Sequence, residues 1–343
     1  MLIHPLRQSA IQLKRLIKSS LEYRQIDQQT THIAGYQNLE RVVNDCIVVA
    51  LMRNAEAYLK AFIEHHLSLG FRHIFLLDNG SEDSSIEIAR GYGEVTIYEC
   101  LLPYQHYKDE LKRYLARRFS YQRWCLIADV DEFFRYPGDE TLSLGQFIGY
   151  LNRHDYDAVL LQMLDMYPAG PIEGGDQQRR DGDFLTEHCW FEIDSIQRRQ
   201  IPAGLENHLS NPDLRIYFGG VRARVFQTEP YLSKFCLIRP NARLYQVNHH
   251  LVSFAKVADI SAALLHYKFL NDFPRVVAKA VAEKQYFQGS AEYQRYQDVL
   301  RETEQLTLRS PHSVQFETTQ QLVDLGVLAV SDRYQSYYDI LQV

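Results

Sequence analysis

Residues 46–128 alternate short apolar runs with amphipathic stretches. Four runs have the length of a strand and are apolar almost throughout, which is typical of strands buried on both faces of a sheet. The stretches between them place apolar residues at helical spacing, most clearly from Tyr58 to Leu69, where Gly70 is a stop signal. The four runs cover residues 46–51, 74–77, 95–98 and 124–128. This alternation predicts an α/β fold of the Rossmann type, with a mostly parallel sheet flanked by helices.

The second half of the chain shows a looser pattern. It predicts a helix near residues 142–151, strands at 158–163 and 214–218, and two helices near 274–288 and 292–303. Residues 168–212 are rich in Gly, Pro, Asp, Arg and Gln and predict a long irregular segment, which in a compact domain usually carries function. The pattern divides the chain into an N-terminal helical extension and linker at 1–42, an α/β domain at 43–330 and a C-terminal tail at 331–343.

The composition is ordinary for a globular protein, with 46% hydrophobic and 23% charged residues. The formal net charge of −6 argues against a nucleic-acid partner, because no basic excess is present to neutralise phosphates. The five cysteines have no disulfide or metal-site spacing, and we interpret them as free thiols in a reducing compartment. Since the chain has neither an apolar stretch of about 20 residues nor a signal-peptide pattern, we expect a cytoplasmic protein.

Residues 1–25 place apolar side chains at roughly helical spacing with basic residues between them. One interpretation is an amphipathic helix that makes a peripheral contact with the inner face of an anionic membrane. The other, which we favour, is a helix that packs on the body of the protein.

Polar residues follow three of the four apolar runs. They are Arg53, Asn54 and Glu56 after the first run, Asp78 and Asn79 after the second, and Asp129 and Asp131 after the fourth. In a parallel sheet the carboxyl ends of the strands lie side by side, and ligands bind in the crevice outside them. The sequence therefore predicts a binding site at this edge of the sheet.

Asp129 and Asp131 form an Asp-x-Asp pair directly after a predicted buried strand. On an extended segment, residues two apart point to the same side, so both carboxylates can face one Mn²⁺ or Mg²⁺ ion. The pair alone is a weak signal, because acidic turns contain it without a metal. A phosphatase of the haloacid-dehalogenase type also uses Asp-x-Asp, but its chemistry requires a small residue directly after the pair. Here Glu132-Phe133-Phe134 follows instead.

Seven segments spread over residues 45–330 form a combination that is more specific than any one motif. They are residues 49–56, 65–70, 78–83, 128–134, 165–168, 219–226 and 264–270. Together they resemble the family-2-like glycosyltransferases, relatives of the family 92 enzymes. The resemblance implies a GT-A-like fold, a nucleotide-sugar donor, a divalent metal and inversion at the anomeric carbon.

The resemblance also implies roles for individual residues. Asp131 is expected to be the main metal ligand, with His266 as a further ligand and Asp129 on the ribose or the metal. His249 and His250 are rival ligands, and His266 is alternatively a histidine satisfied within the core. The nucleotide is expected to contact Arg53, Asn54, Glu56, Asp78 and Asn79, with Asp78 on the uracil or ribose, and its diphosphate to face Lys268.

An inverting transfer needs a carboxylate that takes the proton of the acceptor hydroxyl. Asp165 is the candidate, because it follows a strand expected to lie beside the metal strand. Glu187 and Glu192 are alternatives, and Asp165 could instead hold the turn that follows it. Arg222 and Arg224 could both face a phosphate or be charges on an exposed edge strand.

The predicted function is therefore metal-dependent transfer of a hexose from a UDP-sugar to a glycan or lipid-linked saccharide. A sugar nucleotidyltransferase is one alternative, but it needs a Gly-rich basic loop after its first strand, and residues 51–56 contain none. A carbohydrate-binding scaffold that kept the fold without turnover is the other alternative.

Overall fold

A computed structural model describes residues 20–172, 184–283 and 287–342 of the 343-residue chain. Residues 1–19, which hold most of the predicted amphipathic helix, lie outside the described residues. So do residues 173–183 within the predicted irregular segment. Within the three described ranges, no helix has both the length and the apolar character needed to cross a membrane.

Ten strands form one central sheet, in which seven strands run in one direction and three run against them. Across the sheet the order is β1 (Thr30–Ala34), β4 (Val95–Cys100), β3 (Ile74–Asp78), β2 (Cys46–Met52), β5 (Trp124–Asp129), β12 (Ser233–Ile238), β7 (Ala158–Asp165), β15 (Lys256–His266) and β10 (His208–Leu209). Strand β6 (Glu132–Arg135) pairs with β15 off this path. The antiparallel strands are β1, β6 and β12, so the predicted mostly parallel sheet is confirmed.

Helices flank this sheet. They are α1 (described for residues 20–28), α2 (Glu56–Ser68), α3 (Ser85–Arg90), α4 (Tyr104–Ser120), α5 (Leu144–Arg153), α6 (Phe184–Glu187), α7 (Val221–Phe226), α8 (Phe273–Glu283), α9 (Phe287–Glu302), α10 (Thr319–Asp324) and α11 (Asp332–Leu341). A 3-10 turn covers Ala203–Leu205. Three two-stranded sheets pair β9 (Ile196–Gln200) with β11 (Arg215–Gly219), β13 (Tyr245–Gln246) with β14 (Val252–Ser253), and β8 (Trp190–Glu192) with β16 (Ser313–Gln315).

The apolar runs of the sequence form the centre of the core. All seven residues of β2, all five of β3 and all eight of β7 are buried, as expected for strands covered on both faces. A second apolar cluster lies beneath α7, α8 and α9 and includes Phe226, Phe269, Phe273 and Tyr296.

Both ends of the described chain belong to the folded body. Residues 30–34, predicted as part of an extension and linker, form β1 and pair with β4 at the sheet edge. Gly35 ends this strand with φ +87°, and a Cβ there would lie 2.3 Å from the carbonyl oxygen of Val95, so only glycine fits. The predicted tail forms α11, which is capped by Ser331 and buries Tyr334, whose hydroxyl donates to the Pro137 carbonyl at 2.6 Å.

Stability is expected to fall as the pH drops from about 6.5 towards 4, and His73 is one cause. Burial lowers the pKa of this ring from 6.5 to about 4, and its Nε2 donates to Thr96 Oγ1 at 2.8 Å. Because the folded pKa lies below the unfolded one, the stabilisation is complete above pH 6.5. Between pH 6.5 and 4 the imidazole takes up a proton in the unfolded chain but not in the folded one. The free energy of unfolding then falls by an amount on the order of 3 kcal/mol.

Urea denaturation at pH 7.5, 6, 5 and 4.5 measures this dependence. His73→Gln keeps a donor for Thr96 and should flatten the slope by roughly one proton, about 1.4 kcal/mol per pH unit. His312→Gln, at a side chain that is 63% exposed, controls for the loss of an imidazole as such, and both variants are compared over the same pH range. An unchanged slope in His73→Gln would contradict the assignment.

Candidate functional site

Strand register brings three of the predicted residues to one edge of the sheet. Strand β6 begins one residue after Asp131 and pairs with β15 so that Glu132 lies opposite His266. Strand β15 in turn runs parallel to β7, with His266 beside Asp165. Asp131, His266 and Asp165 therefore meet at the carboxyl ends of β5, β15 and β7, where the sequence placed the site.

Asp131 and His266 form the part of this edge that fits a divalent ion. Asp131 Oδ2 lies 3.3 Å from His266 Nε2, and one ligand atom each from Asp131, Glu132 and His266 fall within 4.8 Å of one another. Neighbouring ligands of an octahedral Mg²⁺ ion are about 3 Å apart, because each lies about 2.1 Å from the ion. Carboxylate and imidazole donors also suit Mn²⁺. The Asp131 side chain is 27% exposed, so the cluster opens to solvent on one side.

Glu132 is the member of this cluster that the sequence did not single out. Its carboxylate contacts the ammonium of Lys234 and accepts the backbone N–H of Asp129 at 3.1 Å. Because these contacts already hold Glu132, Asp131 and His266 are the better-placed ligands.

Asp129 faces lysines instead of this cluster. Its Oδ1 lies 2.6 Å from Lys112 Nζ and its Oδ2 lies 3.0 Å from Lys234 Nζ. Burial alone would raise the pKa of Asp129, but Lys112, Lys234 and Lys108 hold it well below its usual range. In this conformation both oxygens of Asp129 are engaged by ammonium groups. Its predicted role as a metal ligand stays a prediction, which this arrangement does not favour.

His266 is held from behind by Asp165, whose carboxylate is 3% exposed. Asp165 Oδ1 lies 2.6 Å from His266 Nδ1, and Asp165 Oδ2 accepts from Arg222 Nε at 2.8 Å. Burial opposes charge on both groups, but Arg222 and His266 lower the pKa of Asp165 to about 2. The carboxylates of Asp131 and Asp165 likewise raise the pKa of His266 to about 9. A shielded carboxylate with both oxygens engaged is poorly suited to take a proton from an acceptor, so the arrangement does not favour Asp165 as the base.

The alternative bases differ in their surroundings. Glu192 is buried and accepts two contacts from Arg224 Nε, at 2.7 and 2.9 Å, which places Arg224 in an ion pair. Glu187 is exposed at the end of α6. The ring of Phe184 in the same helix packs 5.1 Å from that of Tyr267, the residue after His266. Glu187 therefore remains the more accessible of the two alternatives.

The predicted diphosphate contact, Lys268, lies against α9. Its ammonium is 3.2 Å from the hydroxyl of Tyr293 and 4.7 Å from the centre of that ring. Of the rival metal ligands, His249 Nδ1 lies 2.8 Å from Asp109 Oδ1, and His250 Nδ1 lies 2.9 Å from the Ser233 carbonyl. Neither ring is part of the Asp131–Glu132–His266 cluster.

The acid and amide after β3 organise their own loops. Asp78 Oδ2 accepts the backbone N–H groups of Gly80 and Ser81 at 3.0 and 2.9 Å, and its other oxygen accepts the Ser81 hydroxyl. Asn79 Nδ2 donates to the carbonyls of Cys100 and Leu102 at 2.6 and 2.9 Å. Asp78 and Asn79 thus shape the edge next to β2 and β4.

The residues after β2 fasten this loop to the one after β3. Asn54 adopts φ +52°, donates its backbone N–H to Ser81 Oγ at 2.9 Å and accepts that of Glu82 at 2.8 Å. Glu56 is exposed and accepts the Ser84 N–H at 3.3 Å. Arg53 is also exposed. The nucleotide contacts expected for these residues stay predictions, and the structure gives Asn54 a clear role in the turn.

Comparison with known proteins adds a distant relationship. No protein-family model matches the chain. Over 106 residues it is 26% identical to a protein of Oryza sativa subsp. japonica named as a glycosyltransferase family 92 protein. The match covers 30% of this chain and 18% of that relative. It supports a distant relationship to glycosyltransferases, and the sheet is compatible with a Rossmann-like GT-A fold.

Proposed function

We propose that this chain is a metal-dependent, inverting glycosyltransferase that moves a hexose from a UDP-sugar to a hydroxyl of a glycan or lipid-linked saccharide. One observation carries the proposal: Asp131 Oδ2 and His266 Nε2 lie 3.3 Å apart at the carboxyl edge of a mostly parallel sheet. The distant family 92 relative supports the same reaction class.

In the proposed site, Asp131 and His266 bind the ion, and Glu132 lies beside them. A bound Mn²⁺ or Mg²⁺ ion would neutralise charge on the diphosphate leaving group. On the β5 side of this site, Lys112 and Lys234 balance the carboxylates of Asp129 and Glu132, and Lys108 on the same face of α4 adds a further ammonium group. Lys108 is proposed to attract the anionic donor.

The donor's nucleotide is proposed to lie over the ends of β2 and β3. Asp78, Asn79 and Asn54 hold the two loops there in fixed positions, which preorganises a surface for the uridine. Arg53 and Glu56 are exposed on the first of these loops and are proposed to contact the nucleotide.

A calorimetric titration of UDP into the protein tests this proposal. Binding is expected with Mn²⁺, and its loss is expected in EDTA and in Asp131→Ala. Asp213→Ala, which removes an exposed carboxylate between β10 and β11, serves as the matched control and should bind UDP like the wild type.

The other outcomes separate the alternatives. Binding of GDP, CMP or dTDP in place of UDP would change the donor but keep the site. If no nucleotide bound with Mn²⁺, the enzyme proposal would yield to the scaffold alternative. Nucleotide binding without hydrolysis or transfer from any donor sugar would also favour a scaffold.

A further inference from the structure

A row of polar groups continues behind His266, away from the open side of the metal-compatible cluster, and it is buried as far as Arg222. It runs from His266 Nδ1 to Asp165 at 2.6 Å, from Asp165 to Arg222 Nε at 2.8 Å, and from Arg222 Nη1 to Glu292 Oε1 at 3.3 Å. The Asp165 and Arg222 side chains are 3% and 6% exposed. The row therefore links β15 to β7, α7 and α9 without reaching solvent at Asp165.

A glycine pair brings Arg222 into this row. Gly219 and Gly220 precede α7 with φ +85° and +65°, and a Cβ on either would lie 3.0 Å from a neighbouring atom. Gly220 also has ψ −156°, a region that only glycine adopts readily. This turn starts α7 beside the end of β7, so that Arg222 faces Asp165.

The contact between Asp165 and His266 selects one form of the imidazole. When Nδ1–H donates to Asp165 Oδ1, the neutral ring leaves the lone pair on Nε2, which is the atom beside Asp131. Outer carboxylates that hold ligand histidines in this way fix both tautomer and ring orientation. We infer that Asp165 and Arg222 are positioning residues that aim His266 Nε2 at the divalent ion, with Arg222 fixing the carboxylate that fixes the ring. This inference rests on the proposed function.

The burial of Asp165 separates this role from that of a general base. A base must reach the acceptor hydroxyl directly or through one water, whereas Asp165 is shielded and both of its oxygens are bound. If the Asp165–Arg222 ion pair served stability alone, its removal would not change metal affinity through the His266 ring. A positioning role predicts that Asp165 affects metal affinity, and this is the readout that distinguishes the two.

Mn²⁺ affinity, measured from the free-ion signal in electron paramagnetic resonance, provides the test. In Asp165→Asn the amide can either accept from His266 Nδ1 or donate to it, so it no longer selects one tautomer. Mn²⁺ binding should weaken about 10- to 100-fold. Arg222→Met should weaken it less, because Asp165 still accepts from Nδ1. The double variant Asp165→Asn/Arg222→Met leaves no unpaired guanidinium, and its Mn²⁺ affinity should equal that of Asp165→Asn.

Asp157→Asn is the matched control, since Asp157 is a 1%-exposed carboxylate just before the amino end of β7. It lies 3.5 Å from Arg239 Nη2 and accepts from Asn241 at 2.7 Å. Its replacement should lower stability and leave Mn²⁺ affinity within about twofold of the wild type. An equal loss of affinity in Asp157→Asn would indicate general destabilisation and overturn the assignment.

A measurement on the wild type completes the test if the variants do not fold. In ¹⁵N-labelled protein saturated with Mg²⁺, His266 should carry a proton at Nδ1 and none at Nε2, and a proton at Nε2 would overturn the inference. A folded Asp165→Asn with unchanged Mn²⁺ affinity would do the same while leaving the proposed function intact. Failure of the wild type to bind Mn²⁺ would instead remove both proposals.

Discussion

Asp131→Ala is expected to lower the rate of transfer from the nucleotide sugar by about 1000-fold. A divalent ion contributes several kcal/mol of charge stabilisation in the transition state, and each 1.36 kcal/mol corresponds to a factor of ten in rate. Asp131 is the more exposed of the two groups assigned to the ion, and no charge partner other than His266 is within 4 Å of it among the described residues. The loss should appear in kcat/KM and should not be reversed by high Mn²⁺.

Comparison with the neighbouring carboxylate sharpens this test. Asp129→Asn should weaken Mn²⁺ binding less than Asp131→Asn does, because Lys112 and Lys234 already bind the oxygens of Asp129. Equal losses in the two variants would show that both aspartates hold the ion, as the Asp-x-Asp spacing alone suggested. Full activity of Asp131→Ala in EDTA would count against any metal at this site.

Lys234→Met is expected to destabilise the fold by about 3–5 kcal/mol, the cost of leaving a buried charge without its partner. The Lys234 side chain is 5% exposed and contacts both Asp129 and Glu132, and the latter is 2% exposed. Asp129 keeps Lys112 when Lys234 is removed, but Glu132 loses its ammonium partner. Urea denaturation in EDTA measures the change without interference from bound metal.

A second substitution identifies the origin of this loss. Glu132→Gln added to Lys234→Met should recover much of the stability, because it removes the carboxylate that was left unpaired. Lys279→Met is the control for a lost ammonium, since Lys279 is 58% exposed on α8, and its effect should stay within about 0.5 kcal/mol. A Lys234→Met variant as stable as the wild type would show that Glu132 is neutral or finds another partner.

The sequence was sufficient for the first four parallel strands, because each is a short apolar run and three of the four are followed by polar residues. Strand β2 extends one residue beyond its predicted end and β3 ends at Asp78, so the strand-end residues lie where the pattern placed them. The resemblance linked Asp131 to His266, and the β6–β15 register then places Glu132 opposite His266.

The lysines around Asp129 could not be predicted in this way. Lys112 lies in a highly charged helix, where a buried ammonium has no local signal. Lys234 belongs to β12, and only the long-range insertion of this strand between β5 and β7 brings it to Asp129. By contrast, the turn role of Asp78 had a local signal, because Asp followed by Asn-Gly-Ser favours a side chain that bonds the backbone two residues on.

The position of β12 also constrains how the chain can reach its folded state. This strand completes the hydrogen bonds of both β5 and β7, although it follows them in the chain by 68 residues or more. A nascent chain that stops before Ser233 lacks both β12 and β15, so one edge of β5 and both edges of β7 are open. Open strand edges are templates for intermolecular pairing. The two halves of the sheet are therefore expected to aggregate when they are produced as separate fragments, and translation pausing before β12 would expose the apolar strands β5 and β7.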